Sequence, residues 1–161
     1  MPAVRTEGLD RHRARILAMQ ALCHLDVQGD AGLKEVGLFL ADADDPQETL
    51  VYADRLIRGA WAARAESDAL MQQQAHAWDV ARMSPVERNV IRVALSELRD
   101  DTVPAKIVID EAIEIAREFS TPEGARFVNG LLDAAWKAWS KTENRKPKSE
   151  NDRPDSEHLR N

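Results

Sequence analysis

Cysteine, aromatic residues and long apolar runs are all scarce in this chain of 161 residues. Its single cysteine, Cys23, excludes an internal disulfide and leaves no cysteine-based metal site. No apolar run is as long as a membrane span, and no signal-peptide core follows the N-terminus. We therefore expect a soluble, cytoplasmic protein without a metal or a cofactor.

Glycine and proline are also rare, with seven of each, and aromatic residues make up only 5% of the chain. The hydrophobic share of 43% must therefore come mainly from leucine, isoleucine, valine and alanine. Short β-branched runs and abundant alanine favour closely packed helices. The length allows one compact all-α domain or two small helical subdomains that share a core.

Positive charge is in deficit overall, since the formal net charge is −6, yet it is concentrated near the N-terminus. We call Arg11, His12, Arg13 and Arg15 the arginine cluster. In an acidic chain, such a cluster can mark the surface that approaches nucleic-acid phosphate. The alternative is a solvated helix end. On a helix, Arg11 and Arg15 lie about 40° apart, whereas Arg13 points roughly the other way.

The arginine cluster opens the first predicted helix, which begins near Leu9 and Asp10 and ends around residues 28–30. Asp10 is the expected N-cap. One apolar stripe comprises Ala14, Leu17, Ala18, Ala21, Leu22 and Leu25. A second stripe comprises His12, Ile16, Met19 and Cys23. Either this helix is central to the fold, or the second stripe meets a partner.

Proline and capping residues mark the starts of further helices. A short helix is predicted over residues 33–40. A long one, with Asp45 as its cap and Pro46 at its first position, runs to about residue 74. Residues 75–83 form a short helix or a turn. Ser84 and Glu87 form a capping box, and Pro104 and Pro122 begin the last two helices. Residues 141–161 are nearly all polar or charged, so we expect a disordered tail.

Three segments resemble the NusB family of bacterial transcription antitermination factors. The basic opening is followed by Gln20-Ala21-Leu22, as in that family. Val103–Ala116 resembles its V-P-x-x-x-x-I-N-E-A-[IV]-E-[IL]-A segment, and Arg126–Asp133 resembles its K-F-V-N-G-[VI]-L-D segment. The resemblance covers residues 9–139 and omits the tail.

The resemblance implies an all-α bundle of about seven helices in two packed subdomains, residues 1–83 and 84–140, followed by the 141–161 tail. It also implies a non-catalytic protein that pairs with NusE, a small-subunit ribosomal protein. Together they would bind single-stranded boxA RNA of ribosomal RNA operons within the RNA polymerase antitermination complex.

The resemblance assigns two groups of RNA-binding residues. The arginine cluster matches the family's arginine-rich motif, although relatives often carry another basic residue at His12. Phe127 matches a position associated with RNA, where a ring could stack on a base. Arg126 and Glu123 adjoin it. The alternative interpretation of Phe127 is structural, with its ring covering the rim of the hydrophobic core.

The resemblance also places Ile16, Met19, Cys23 and Glu87 at the NusE interface. Relatives usually carry an aromatic residue at Cys23, so the loss of that anchor predicts weaker partner binding. The capping box alone explains Glu87. Asn129 and Gly130 are interpreted as structural, with the glycine allowing two helices to approach closely.

Two other functions remain open at the level of sequence. NusB-like domains also occur fused to ribosomal RNA methyltransferases, but this chain has no dinucleotide-type glycine motif. Alternatively, the second stripe of the first helix forms a homodimer that masks the RNA site.

Overall fold

A computed structural model describes residues 8–74 and 83–143 of the chain. These residues form seven α-helices and one 3-10 helix, which confirms the predicted all-helical fold. The elements are α1 (Arg11–Gln28), a 3-10 helix (Gly29–Glu35), α2 (Val36–Asp42), α3 (Gln47–Ala62), α4 (Arg64–Gln74), α5 (Pro85–Asp100), α6 (Ala105–Phe119) and α7 (Pro122–Glu143). Within the described ranges, none of the helices combines the length and apolar character that a membrane span requires.

Local capping chemistry sets several helix starts. The Asp10 side chain accepts a hydrogen bond from the Arg13 backbone, and Ser84 and Glu87 form the predicted capping box. The prediction that Asp45 caps α3 is wrong. Pro46 occupies the cap position without a side-chain hydrogen bond, and the Asp45 carboxylate instead accepts from Arg13.

The long helix predicted to reach residue 74 is interrupted at Ala63, so it forms α3 and α4. Arg64 explains the interruption. Its guanidinium donates to the Trp61 carbonyl over 2.7 Å and stacks on the Trp61 ring at 3.9 Å. The Trp61 indole donates in turn to Asp30 over 2.7 Å. The local turn is therefore stabilised by side chains that a helical pattern does not reveal.

Two other predicted boundaries also change. The short helix predicted over residues 33–40 is a 3-10 helix to Glu35 followed by α2. Helix α7 continues to Glu143, so the first three residues of the predicted tail are helical. The rest of that tail, and residues 75–82 of the predicted short helix or turn, lie outside the described residues.

Helix α1 packs between two hydrophobic clusters. Its Leu17 and Leu22 belong to a cluster with α2 and α3, whereas its Ile16 and Met19 belong to a cluster with α5, α6 and α7. The apolar character of both stripes therefore follows from the central position of α1, which was one of the two interpretations. The division into subdomains at residues 83 and 84 stays a prediction.

Candidate nucleic-acid interface

The arginine cluster occupies the first turns of α1, but its members differ in exposure. Arg11 is exposed, His12 and Arg13 are partly exposed, and Arg15 is only 5% exposed. Arg11 and Arg15 thus share one face of the helix, but only Arg11 is exposed on it. By residue 15 the helix has already entered the core, so the same angular position faces protein rather than water.

Arg15 forms a buried ion pair with Glu97 of α5. Its Nε lies 3.0 Å from Oε1 of Glu97, and the Tyr52 hydroxyl donates to Oε2 over 2.9 Å. Burial, followed by the negative charge of Glu97, raises the pKa of Tyr52. Arg15 Nη1 also lies 3.5 Å from Glu111 of α6. This group joins four helices, so Arg15 fixes the cluster to the fold rather than presenting it to solvent.

The other arginines are oriented by surface contacts. Arg13 donates through Nε to both oxygens of Asp45, over 3.1 and 3.2 Å. The Arg11 guanidinium carbon lies 5.6 Å from the centre of the Tyr52 ring, and that of Arg55 lies 5.8 Å from it. Such distances are typical of cation–π contacts. Arg11 and Arg13 are therefore pre-positioned while keeping exposed surface.

His12 contacts the acidic side of α6. Its Nδ1 lies 2.6 Å from Glu111 Oε2, and its Nε2 lies 4.0 Å from Glu118 Oε2. With Asp45 beside Arg13 and Glu97 beside Arg15, carboxylates surround much of the cluster. Its free positive charge is therefore smaller than the sequence suggests.

The second group of predicted RNA residues lies at the start of α7. Glu123 and Arg126 are exposed, whereas Phe127 is half-buried and packs against the cluster of α5, α6 and α7. A groove of about 540 Å³ runs between α6 and α7 beside Arg126. It is lined by Ile113, Arg117, Pro122, Ala125, Arg126 and Asn129.

The structure corrects the interpretation of Asn129 and Gly130 as packing residues. Both are exposed, and a Cβ placed on Gly130 would meet nothing within 4 Å. The close approach occurs instead at Gly124. A Cβ there would collide with Glu87 Oε1 and lie 2.5 Å from Ser120 Oγ. Asn129 and Gly130 therefore lie on an exposed surface beside the groove, whereas Val128 just before them is buried in the core.

Helix α6 separates the two groups of predicted RNA residues. Its Glu111 and Glu118 contact His12, whereas its Arg117 lines the groove that contains Arg126. Glu114 lies about 60° and Asp110 about 100° around the helix from Glu111, toward Arg117. An acidic ridge on α6 therefore runs between the two basic regions.

Glu87 joins the start of α5 to the turn before α7. Its carboxylate accepts from the Ser84 backbone over 2.9 Å and from the Ser120 hydroxyl over 3.2 Å. Glu87 is partly exposed, so it presents some surface as well as capping the helix. The structure places it beside Gly124, and hence beside the start of α7.

The remaining predicted partner residues lie at different depths. Ile16 and Met19 are 6% and 2% exposed and pack in the core, so their side chains offer almost no surface to a partner. Cys23 is half-buried, and Asn89 donates to its sulfur over 3.5 Å. Burial raises the pKa of the Cys23 thiol, which therefore stays protonated at neutral pH.

A second polar network near Cys23 was not predicted from the sequence. Asp26 accepts hydrogen bonds from Arg88, Asn89 and Arg92, with the Arg92 contact at 2.7 Å. Arg92 also donates to both oxygens of Asp68, over 2.8 and 2.6 Å. Burial disfavours the Asp26 carboxylate, but the hydrogen bonds from Arg92 and Asn89 outweigh it and lower the pKa of Asp26.

The only signal for this network in the sequence is that Asn89 and Arg92 interrupt the apolar pattern of α5. Among the described residues, no group of three or more histidine, cysteine, aspartate or glutamate side chains could hold a metal ion.

Comparison with known families decides the assignment. The model of the NusB family matches residues 12–137, which is most of the chain. The chain belongs to the NusB family. A NusB transcription antitermination protein from Symbiobacterium thermophilum is 39% identical over 133 residues, covering 77% of this chain and 87% of that protein. One from Desulforapulum autotrophicum is 38% identical over 128 residues, covering 77% and 89%.

Solved NusB structures share the fold. The structure of T. maritima NusB has a TM-score of 0.74 and 31% identity, and the match covers 84% of this chain and 99% of that one. A structure of NusB and NusE in complex with dsRNA has a TM-score of 0.72 and 23% identity, covering 80% and 96%. The resemblance to NusB antitermination factors is thus confirmed.

Proposed function

We propose that this NusB family member is a non-catalytic factor that binds boxA RNA of ribosomal RNA operons together with NusE. It would act in the cytoplasm, as part of the RNA polymerase antitermination complex. The observation that carries the proposal is the pre-positioned pair Arg11 and Arg13 on the first turn of α1, held by Tyr52 and Asp45. Pre-positioned guanidinium groups bind phosphate with little further loss of conformational freedom.

The members of the arginine cluster have distinct proposed roles. Arg11 and Arg13 contact phosphates directly, and His12 contributes when RNA displaces Glu111 from its ring. Arg15 acts through its ion pair with Glu97, which holds the first turns of α1 against α5. These different roles follow from exposure, because the side chains of Arg11, His12 and Arg13 reach solvent, whereas that of Arg15 is buried.

Arg126, Phe127 and Glu123 form the second proposed RNA contact. The exposed Arg126 suits a phosphate in the α6–α7 groove, and the exposed edge of Phe127 suits a stacked base. Glu123 disfavours phosphates placed too close to the helix start. A strand that reaches both regions must pass the acidic ridge of α6, so we expect weak binding by this chain alone.

NusE is the proposed partner that strengthens RNA binding. The solved complex of a NusB with NusE and dsRNA supports this idea for a protein of the same fold. Cys23 and the exposed part of Glu87 are the proposed contacts. Met19 supports that surface from the core side, because its Sδ lies 4.0 Å from the Cys23 sulfur, and Ile16 belongs to the same hydrophobic cluster.

A salt titration of RNA binding tests the RNA-binding proposal. Wild-type protein and the variant Arg11→Ala/Arg13→Ala are titrated with a boxA-like single strand and with a shuffled strand. Each phosphate contact contributes about 0.7 to the log–log slope with salt, so losing two contacts lowers its magnitude by about 1.4. The control Arg58→Ala/Lys137→Ala removes two exposed cations that also pair with carboxylates. Equal slopes for both variants would refute the proposed contacts.

Alkylation of the single cysteine tests the partner surface. Reaction of Cys23 with iodoacetamide is followed by mass spectrometry, with and without saturating NusE. Coverage of Cys23 by NusE should slow the reaction several-fold, and RNA binding should tighten in the same mixture. An unchanged rate with NusE bound would exclude Cys23 from the interface. Slower alkylation on raising the protein concentration alone would indicate the homodimer instead.

A further inference from the structure

Helix α2 exposes two large apolar side chains next to each other. Leu38 is 71% exposed and Phe39 is 36% exposed, whereas Val36 and Leu40 on the same helix are buried. Val36 and Leu40 belong to the cluster formed with α1 and α3, and neither Leu38 nor Phe39 belongs to a core cluster. The two exposed residues therefore contribute nothing to the core that would explain their apolar character.

A groove adjoins these two residues. Its volume is about 500 Å³, and its lining is Ala21, His24, Glu35, Val36, Leu38 and Phe39. We call it the α2 groove. Its rim carries an exposed pair in which His24 Nε2 lies 2.9 Å from Glu35 Oε2. The floor is apolar and the rim is polar, as in grooves that accept one face of an amphipathic helix.

The chain around the α2 groove is strongly acidic. From Asp26 to Asp54, counting both ends, there are eight acidic residues and a single basic one, Lys34. Glu35, the residue just before α2, precedes Leu38 by three positions, and Asp42 at the end of α2 follows it by four, so both carboxylates lie on the side of the helix that carries Leu38. Both carboxylates belong to exposed residues. The apolar patch is thus bordered by negative charge.

We propose that the α2 groove is a docking site for a basic amphipathic helix of another protein. Leucine- or methionine-like side chains of that helix pack against Leu38 and Phe39, and its lysines or arginines face Glu35 and Asp42. A second copy of this chain is disfavoured, because a symmetric contact would bring the same carboxylates together. The site is independent of the proposed RNA function, since no residue of the arginine cluster lines it.

A synthetic amphipathic peptide tests the docking site on the full chain. The probe is an 18-residue helix with leucines on one face and lysines on the other, and its control is a shuffled peptide of the same composition. Affinity is measured by fluorescence anisotropy, and the contact surface by backbone amide NMR shifts. The proposal predicts tighter binding of the amphipathic peptide, with shifts centred on residues 21–42.

Matched variants separate this groove from general attraction to an acidic protein. Leu38→Ser/Phe39→Ser should weaken peptide binding at least about tenfold. Ile107→Ser/Phe119→Ser is the control, since those residues are 49% and 37% exposed on α6. Glu35→Gln/Asp42→Asn should weaken binding at least about threefold and reduce its salt dependence. The control Ile107→Ser/Phe119→Ser should bind the peptide as tightly as wild type does.

Three results would overturn the proposal. The first is equal affinity of the amphipathic and shuffled peptides. The second is equal loss of affinity in Leu38→Ser/Phe39→Ser and in Ile107→Ser/Phe119→Ser. The third is a wild-type dimer in sedimentation that dissociates when Leu38 and Phe39 are replaced, because it would make a second copy the occupant.

Discussion

Arg15 shows how burial changes the meaning of a charged residue. Within the arginine cluster it differs from Arg13 by two positions, yet it pairs with a carboxylate that is almost fully buried, whereas Arg13 pairs at the surface. An unpaired charge in the interior is much more costly than one in water. The two residues therefore allow a direct comparison of a structural and a surface ion pair.

Arg15→Met should lower the free energy of unfolding by about 3–5 kcal/mol, because it leaves Glu97 buried without its partner. Arg13→Met should change it by less than about 1 kcal/mol, because Arg13 and Asp45 are partly solvated. Urea unfolding followed by circular dichroism measures both. Similar losses for the two variants would contradict the difference in burial.

Asp26 gives a prediction about acid stability. Because hydrogen bonds lower its pKa in the folded state despite burial, the unfolded chain binds the proton more readily. Its stabilising contribution is therefore present above the unfolded value of about 3.9 and is lost as the pH falls through the lower folded value.

The Asp26→Asn variant tests the direction of this pH dependence. The difference in unfolding free energy between wild type and Asp26→Asn should stay constant from about pH 5 to 8 and shrink below about pH 4. Urea titrations at a series of pH values measure it. A difference that grows as the pH falls would mean that the hydrogen bonds do not favour the ionised carboxylate.

At the scale of elements, the junction of α5 and α7 depends on close contact at Gly124. Glu87 accepts hydrogen bonds from both Ser84 and Ser120, so it has little freedom to move away from a new methyl group. Gly130 lies on the same helix but faces open solvent. The two glycines should therefore respond oppositely to the same substitution.

Gly124→Ala should destabilise the protein by about 1–3 kcal/mol through overpacking. Gly130→Ala should stabilise it by about 0.5–1 kcal/mol, because alanine restricts the unfolded chain and favours the helix. Thermal and urea unfolding of the two variants provide the measurement. Destabilisation by Gly130→Ala would restore the interpretation of that glycine as a packing residue.

How much the sequence predicts depends on how local the cause is. The capping box at Ser84 and the N-cap at Asp10 involve residues three apart, and both were predicted correctly. The pairing of Arg15 with Glu97 spans 82 positions and requires knowledge of how α1 lies on α5. An arginine near a helix start is normally solvated, so its pattern alone could not indicate burial.

The features of the candidate site likewise divide into those that the sequence predicts and those that depend on how the helices pack. The segments of the resemblance gave the family and the positions of the basic groups, which depend on chain order alone. They could not give the acidic ridge of α6 or the depth of Ile16 and Met19, which depend on helix packing. The α2 groove was missed because Leu38 and Phe39 in a short predicted helix do not differ from core residues in sequence.

For the whole molecule, the position of α1 between two clusters predicts a single unfolding transition. Ile16 lies in one cluster and Leu17 in the other, although they are adjacent in the chain. Unfolding of either cluster would remove packing from the same helix. The predicted division at residues 83 and 84 should therefore describe shape rather than independent stability.

Fluorine NMR of 5-fluorotryptophan protein tests this cooperativity. Trp61 reports on the cluster of α1–α3, whereas Trp136 and Trp139 report on the other one. The chain has four tryptophans, and the signals of these three should change at one urea concentration in wild type. Ile16→Ala and Leu17→Ala should each shift the urea midpoints of these signals together. Each variant should lower the free energy of unfolding by about 2–5 kcal/mol. Separate midpoints would instead support two independently stable subdomains.

The central position of α1 also limits how this protein can be re-engineered. Nine of the 18 residues of α1 are buried, and they include Arg15 within the arginine cluster itself. A saturation library across the cluster would therefore mix two kinds of inactive clone, those that cannot hold RNA and those that cannot accumulate in the cell. Sorting first for soluble yield would separate them, because the tolerant positions of the cluster should be Arg11, His12 and Arg13, whose side chains reach solvent, and the intolerant one Arg15.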